Sequence, residues 1–241
     1  AAGGGGSHHP RGHGRPPVKR LVLFDIDGTL VWGGPAKEAF HQAMVETFGT
    51  AGDIEVHSFA GKTDPQIARE LLRGAGMHDG DIEGGFPGLW VRYLGHLEER
   101  LVDQPMDVLP GVADLLGLGL LTGNIAGGAR LKLRSAGLLE HFVMGSYGSD
   151  HEERDELPAI ALRRAEETWG VTFPPEDVIV VGDTPRDVQC GRKEDLRTLA
   201  VATGHFGVDA LVEAGADHVV RDLTDTDGVM TVLTAGAGDP G

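Results

Sequence analysis

The sequence has one cysteine, few basic residues and no long apolar segment. Cys190 is alone among 241 residues, so an intramolecular disulfide and a thiolate metal cluster are both excluded. No apolar run reaches the roughly 18 to 20 residues that a membrane-spanning helix needs. A lone cysteine is typical of a reducing compartment, so we expect a cytoplasmic protein with no membrane partner.

Cations are scarce relative to anions. Lys and Arg total 21 against 37 Asp and Glu, a formal net charge of -16. So acidic a surface argues against nucleic acid as the main partner. An anionic substrate would therefore need local help from a metal ion or a few well-placed cations.

The first residues, AAGGGGSHHPRGHGRPP, are rich in Gly, His, Pro and Arg. Their low hydrophobicity cannot offset the entropy lost on ordering, so we predict a disordered tail over residues 1–17. A metal-binding histidine tract and a basic arm for an anionic surface are the alternative interpretations.

Short, continuous apolar runs predict strands that are covered on both faces. They lie at Leu21–Phe24, Leu118–Leu121, Phe142–Met144, Val178–Val181, Thr198–Ala202 and His218–Val220. Helical patterns separate most of them, for example at Ala126–Ala136 and Leu157–Trp169. Strands that alternate with helices predict an α/β fold with a doubly wound parallel sheet.

One long segment breaks this alternation. We interpret Asp64 as a helix N-cap, with Pro65 at the first helical position. We predict that residues 34–104 form an inserted helical domain, and that residues 18–33 and 105–241 form the core. The predicted helices of the insertion are Ala36–Phe48, Gln66–Gly74 and Trp90–Leu101.

The connection after Pro110 is too short for an ordinary crossover. The stretch PGVADLLGLGLLTGN leaves hardly two helical turns before the next strand, whereas such crossovers usually take at least about ten to twelve residues. Either the helix is vestigial or residues are absent near Gly117.

Small, hydroxylic or acidic residues follow three of the predicted strands. DIDGT follows the first strand, TGN the second and GDTPRD the fourth. Function in an open parallel sheet gathers beyond the carboxyl ends of the strands, so these three segments are expected to form one site.

The aspartates of these segments suit metal-assisted phosphoryl transfer. Asp25, Asp27 and Asp183 can hold Mg²⁺, and Asp187 is a further candidate ligand or a helix-start residue. We predict that Asp25 is the nucleophile, giving an aspartyl-phosphate, and that Asp27 is the general acid and then the general base.

The neighbouring residues suit a phosphate group. Gly28 lets backbone N–H groups approach the phosphate oxygens, and Thr29 supports that turn. Thr122, Gly123 and Asn124 can donate hydrogen bonds to the phosphoryl oxygens at the start of the next helix.

These motifs resemble those of the haloacid dehalogenase superfamily. The likeness rests on DIDGT, LLTGN and VVGDTPRD with a helical insertion after the first strand, and it spans roughly Lys19 to the C-terminus. It implies a Rossmann-like core, a helical cap domain, dependence on Mg²⁺ and the roles given above. The layout is most similar to phosphoglycolate phosphatases and their relatives, and Asp27 points away from dehalogenases and phosphonate hydrolases, which lack it.

One position departs from the family. Its members usually carry a lysine before the last motif, but none lies between Lys132 and Lys193. We expect Arg154 to replace it, because a guanidinium can bind carboxylate and phosphate together. Lys62, in AGKTDP, is a candidate substrate-binding residue of the cap, with a solvated lysine as the alternative.

The sequence thus predicts a Mg²⁺-dependent phosphatase of a small phosphorylated metabolite, either phosphoglycolate-like or a sugar phosphate. The chain is expected to act as a monomer or homodimer. The alternative is a non-catalytic protein of the same fold that binds a phosphometabolite.

Overall fold

A computed structural model of the chain describes residues 20–111 and 119–234. The predicted tail and the short connection near Gly117 lie outside these residues. Among the helices described, none is long and apolar enough to cross a membrane.

Eight strands and eight α-helices follow one another along the described chain. The strands are β1 Leu21–Phe24, β2 Val31–Trp32, β3 Asp107–Val108, β4 Gly119–Thr122, β5 Met144–Tyr147, β6 Val178–Gly182, β7 Arg197–Val201 and β8 His218–Val220. The helices are α1 Ala36–Phe48, α2 Asp64–Gly74, α3 Asp79–Leu101, α4 Ala126–Ser135, α5 Leu157–Trp169, α6 Pro185–Lys193, α7 Val208–Glu213 and α8 Thr226–Thr234.

Six strands form one parallel sheet in the order β5-β4-β1-β6-β7-β8. Every residue of β4 and β6 is buried, as expected of strands with helices on both faces. The chain runs outward from β1 to β5, then returns to β6 on the other side of β1. The predicted α/β, Rossmann-like fold is confirmed, and its switch point lies between β1 and β6.

The edge strand β5 corrects one prediction. We expected a strand at Phe142–Met144, but the strand is Met144–Tyr147. Leu139–His141 form a turn of 3₁₀ helix, and Phe142 ends it. Gly145 and Ser146 lie at buried positions of β5, where their small side chains hide the strand from an apolar pattern.

Helices α1 to α3 lie between β2 and β3, two short antiparallel strands that the sequence did not indicate. Helix α1 has its predicted bounds, but α3 begins at Asp79, well before Trp90. Several glycines and Pro87 interrupt the apolar pattern in that first half. The N-cap of α2 is Thr63, whose hydroxyl accepts from the Gln66 N–H, so the interpretation of Asp64 as N-cap is wrong.

One hydrophobic cluster joins the sheet to these helices. Ile26 and Leu30, which follow β1, are buried in the same cluster as Phe40 of α1 and Tyr93 of α3. The Tyr93 and Phe40 rings are nearly perpendicular, with ring centroids 5.3 Å apart. The helical segment therefore packs directly over the loop that carries the predicted catalytic aspartates.

Candidate active site

The first acidic loop begins where β1 ends. The Asp25 N–H donates to the Val181 carbonyl of β6 at 2.9 Å, so the sheet register extends to this residue. The next turn bends at Gly28, whose φ is 80°. A Cβ on Gly28 would lie 2.4 Å from the Asp183 carboxylate, so only glycine allows the two loops this close together.

Three buried carboxyl groups converge beyond β1 and β6. Oxygens of Asp25, Asp183 and Asp187 all lie within 4.8 Å of one another. Burial raises the pKa of Asp25 to about 6 although Arg154 opposes the shift. Burial and the charges of Asp187 and Asp25 raise the pKa of Asp183 to about 8. So dense a group of oxygen ligands is suited to a hard divalent cation.

Arg154 is the cation that belongs to this cluster. It opens a 3₁₀ turn before α5, is 4% exposed, and places Nη2 3.2 Å from Asp25 Oδ1. The same Nη2 donates to Asp187. Burial alone would lower the pKa of Arg154, but these two carboxylates raise it above its usual range. Its buried Nε–H has no acceptor among the residues that the structure describes.

The carboxylate of Asp187 has two further partners. It accepts from the Thr184 N–H at 2.9 Å and from the Thr184 hydroxyl at 2.7 Å. The first of these bonds, together with the Asp187 N–H donating to the Thr184 hydroxyl at 3.3 Å, forms the capping box that begins α6. Both interpretations of Asp187, as helix-start residue and as member of the acidic cluster, therefore match its position.

The side chain of Asp27 does not join this cluster. Its carboxylate accepts from Lys132 Nζ at 2.8 and 2.7 Å and from Asn124 Nδ2 at 2.7 Å. We predicted Asp27 as a metal ligand together with Asp25, Asp183 and Asp187, but its side chain is not part of the group whose oxygens lie close together. The reason is that Lys132 holds the carboxylate on the α4 side of the site.

The TGN segment provides the opposite wall. Asn124 Nδ2 also donates to the Thr122 hydroxyl at 2.9 Å, so both hydrogens of its amide are used within the protein. Its backbone N–H also donates to that hydroxyl, at 3.4 Å, so the predicted donation from Asn124 to a phosphate would have to replace one of these bonds. A Cβ on Gly123 would lie 2.1 Å from the Lys62 carbonyl oxygen, so a glycine is needed where the helical segment meets this loop.

Asp64 ties α2 to the same loop. Its N–H donates to the Gly123 carbonyl at 2.8 Å, and its carboxylate accepts from the Ile125 N–H at 2.8 Å, just before α4. Burial raises the pKa of Asp64 to about 6, against the opposing charge of Lys132. Asp64, which we predicted as the N-cap of α2, therefore accepts a hydrogen bond from the N-cap residue of α4.

A cavity of about 680 Å³ opens between the helical segment and the sheet. Lys62 lies on its wall, where Nζ contacts Glu70 and lies 3.1 Å from His57 Nε2. Phe40, Phe59 and Tyr93 add an aromatic surface. Among the predicted residues, Asp25, Asp27, Gly28, Lys62, Thr122, Gly123, Asn124, Arg154 and Asp183 all line this cavity.

The predicted residues that do not line it are Thr29 and Asp187. The buried Thr29 hydroxyl lies 3.4 Å from Asp183 Oδ1, so it contacts the acidic cluster from behind.

Sequence reasoning missed Lys132. It shares the buried side of α4 with Gly128, Ala129 and Leu133, at helical spacing. A lysine on an otherwise apolar stripe is a signal that a buried anion lies opposite.

A model of the haloacid dehalogenase-like hydrolases matches residues 19–195. This chain belongs to that family, as its motifs indicated, and it is a hydrolase.

Two bacterial phosphatases and one solved hydrolase structure resemble the chain over most of its length. A phosphoglycolate phosphatase of Synechococcus elongatus is 28% identical over 230 residues, which cover 89% of this chain and 98% of that protein. An N-acetylmuramic acid 6-phosphate phosphatase of Pseudomonas putida is 28% identical over 210 residues, which cover 83% and 91%. A hydrolase structure from Pseudomonas syringae shares the fold, with a TM-score of 0.67 and 20% identity over 90% of this chain and 100% of that one.

Proposed function

We propose that the protein is a Mg²⁺-dependent phosphatase that hydrolyses a small phosphomonoester through an aspartyl-phosphate on Asp25. Its family and its similarity to named phosphatases make it a phosphoric monoester hydrolase. The observation that carries the finer proposal is the meeting of Asp25 with Asp183, Asp187 and Arg154 at the switch point of the sheet.

The acidic cluster fits a divalent cation. Asp25, Asp183 and Asp187 are buried and offer oxygens close together, which is the donor set that Mg²⁺ prefers. We propose these three as the residues that hold it. Bound there, the ion would neutralise the carboxylates and the phosphoryl oxygens.

The protein's own groups then divide the reaction. A carboxylate oxygen of Asp25 attacks phosphorus, and the bond to the leaving oxygen breaks as Asp27 gives that oxygen a proton. Asp27 next takes a proton from a water molecule, which attacks the same phosphorus and releases phosphate and free Asp25. Arg154 orients Asp25 and also lines the cavity, where its guanidinium can donate to a phosphoryl oxygen.

The cavity supports a small metabolite as substrate. Cations and aromatic rings line the half that faces the helical segment, where the leaving group would lie. Several relatives are named for phosphoglycolate and another for a sugar phosphate. We therefore propose phosphoglycolate or a sugar phosphate, with the insertion over residues 34–104 acting as the cap that selects it.

The first test is phosphate release from 4-nitrophenyl phosphate, with and without Mg²⁺, by the wild type and by Asp25→Asn. We expect metal-dependent release that falls at least about 10³-fold in the variant, because no covalent intermediate can form. Phosphoglycolate and sugar phosphates would then be compared. Binding of phosphate with Mg²⁺ but no release from any ester would favour the non-catalytic alternative instead.

A further inference from the structure

We propose that Lys132 is a positioning residue that holds the carboxylate of Asp27 at the leaving-group side of the site. The inference rests on the proposed function, because it assigns a task to Asp27 within that reaction. No motif of the sequence pointed to Lys132, which comes 105 residues after Asp27 in the chain.

The first observation is that the ammonium group is fully used. Nζ lies 2.8 Å from Asp27 Oδ1, 2.7 Å from Asp27 Oδ2 and 2.7 Å from Asn124 Oδ1. An ammonium has three hydrogens, and here it has three oxygen acceptors. Asn124 closes the triangle through its own bond to Asp27 at 2.7 Å. The carboxylate is thus held by two side chains that also hold each other.

The second observation is the difference in exposure between the partners. The Lys132 side chain is 5% exposed, whereas that of Asp27 is 46% exposed. The carboxylate is therefore held from the protein side and open on the cavity side, where a substrate would lie. A group that transfers a proton needs this arrangement of fixed position with one open face.

The third observation concerns the cost of this lysine. A buried ammonium loses its hydration, and a buried ion pair often stabilises no more than apolar residues of the same volume. A leucine would continue the buried stripe of Ala129 and Leu133 on α4. Stability alone therefore gives little reason for a lysine at this position, whereas the placement of Asp27 does.

The experiment compares esters that differ in their need for a proton. Phenyl phosphate has a basic leaving group that needs a proton from Asp27. In 2,4-dinitrophenyl phosphate the leaving group departs readily as the phenolate anion, without a proton. With Mg²⁺ present, kcat/KM is measured for both esters, because it reports the steps up to departure of the leaving group and excludes the later hydrolysis of the aspartyl-phosphate, in which Asp27 acts on every ester alike. The variants are Lys132→Met, Lys132→Gln, Lys132→Arg and Asp27→Asn, with Arg134→Met as the matched control, since Arg134 is exposed on the same helix.

We expect Lys132→Met to lower kcat/KM for phenyl phosphate by about 10²-fold and for the dinitrophenyl ester by less than about threefold. Lys132→Arg should recover much of the loss, since it can still donate to Asp27, and Arg134→Met should match the wild type. In the Asp27→Asn background, Lys132→Met should have no further effect, because both changes remove the same function.

Equal losses of kcat/KM on both esters, no loss on either, or full additivity with Asp27→Asn would overturn the role of Lys132. Should Lys132→Met fail to fold by circular dichroism, Lys132→Gln carries the same comparison of esters. A wild type that hydrolyses neither ester with Mg²⁺ would instead overturn the proposed function, so the two failures are distinguishable.

Discussion

The two aspartates of the DIDGT segment lie in opposite electrostatic surroundings. Asp25 shares its site with two more buried carboxyl groups and one arginine, so negative charge exceeds positive charge there. Asp27, two residues away, is bonded by a lysine and an asparagine. The carboxyl groups around Asp25 outnumber the single arginine, so a further cation would stabilise them. The charge of Asp27 is already balanced by Lys132.

This difference separates the two tasks. A nucleophile that must accept a phosphoryl group benefits from a site that attracts positive charge and then a phosphate. A proton carrier benefits from a fixed position and an open face. One tight turn at Gly28 allows both environments to be built from a single loop.

Apart from loss of the nucleophile itself, the largest expected effect comes from removing the only cation that contacts Asp25 among the described residues. Arg154→Ala should lower kcat at least about 10²-fold, since Asp25 loses its orienting partner and the phosphoryl group loses a donor. Arg154→Lys should recover part of the rate, because lysine keeps the charge but not the forked geometry. Phosphate release with Mg²⁺ measures both.

Arg192→Ala is the matched control for Arg154, because Arg192 is exposed and its guanidinium donates to the Gly215 carbonyl, away from the cavity. An Arg154→Ala variant that folds and keeps nearly the wild-type rate would contradict the assignment.

The next largest effect is expected from a substitution of Gly28, in the turn that the surroundings of Asp25 and Asp27 share. In Gly28→Ala the new methyl group would lie 2.4 Å from the Asp183 carboxylate, at a φ of 80°. We expect a loss of roughly 1–3 kcal/mol in the free energy of unfolding from the strained backbone, together with a clear fall in kcat. Urea unfolding and phosphate release measure these.

Gly137→Ala separates the two causes, since Gly137 also has a positive φ, at 71°, but nothing lies within 4 Å of an added Cβ. It should lose stability and keep its activity. A Gly28→Ala variant with normal turnover would show that the two loops tolerate separation.

The excess of carboxyl groups predicts how stability depends on pH without a divalent cation. The pKa of Asp183 is raised from 3.8 to about 8 and that of Asp25 to about 6. Because the folded protein binds these protons more tightly than the unfolded chain, their contribution is fully present near pH 4 and is lost as the pH rises towards 8. In EDTA, Tm should therefore fall over this range.

Mg²⁺ should raise Tm more at pH 8 than at pH 5, because it replaces the protons that the cluster has lost. Asp183→Asn removes the most shifted carboxyl group and should flatten the decline in EDTA. A Tm in EDTA that rises steadily from pH 5 to 8, or a Mg²⁺ effect that is equal at both pH values, would contradict this account.

The sequence predicted the acidic cluster more fully than the group around Asp27. Asp25 and Asp183 each follow a strand directly, and the ends of neighbouring parallel strands meet at one edge of the sheet, so local patterns were sufficient. Lys132 reaches Asp27 across 105 residues, and no spacing rule connects a helix side chain to one particular turn.

The strands also differ in how far the sequence alone predicts them. Strands β1, β6 and β8 follow from their own apolar runs, whereas β2 and β3 have only two residues each and exist through their pairing with one another. Arg154 was expected only because the family resemblance called for a cation in that part of the chain. Its double contact with Asp25 and Asp187 depends on the tertiary structure.

The smallest expected effect concerns Asp64, at the edge of the region around Lys132. Asp64→Ala leaves the Ile125 N–H without its acceptor, which should lower the free energy of unfolding by about 1–2 kcal/mol. Asp64→Asn should be close to the wild type, since an amide oxygen can accept the same bond. A neutral amide also avoids the cost of burying a charge, which is the cost that raises the pKa of this carboxyl. Urea unfolding distinguishes the two, with the exposed Asp53→Ala as control. Equal losses for Asp64→Ala and Asp64→Asn would mean that the charge, and not the hydrogen bond, ties α2 to the start of α4.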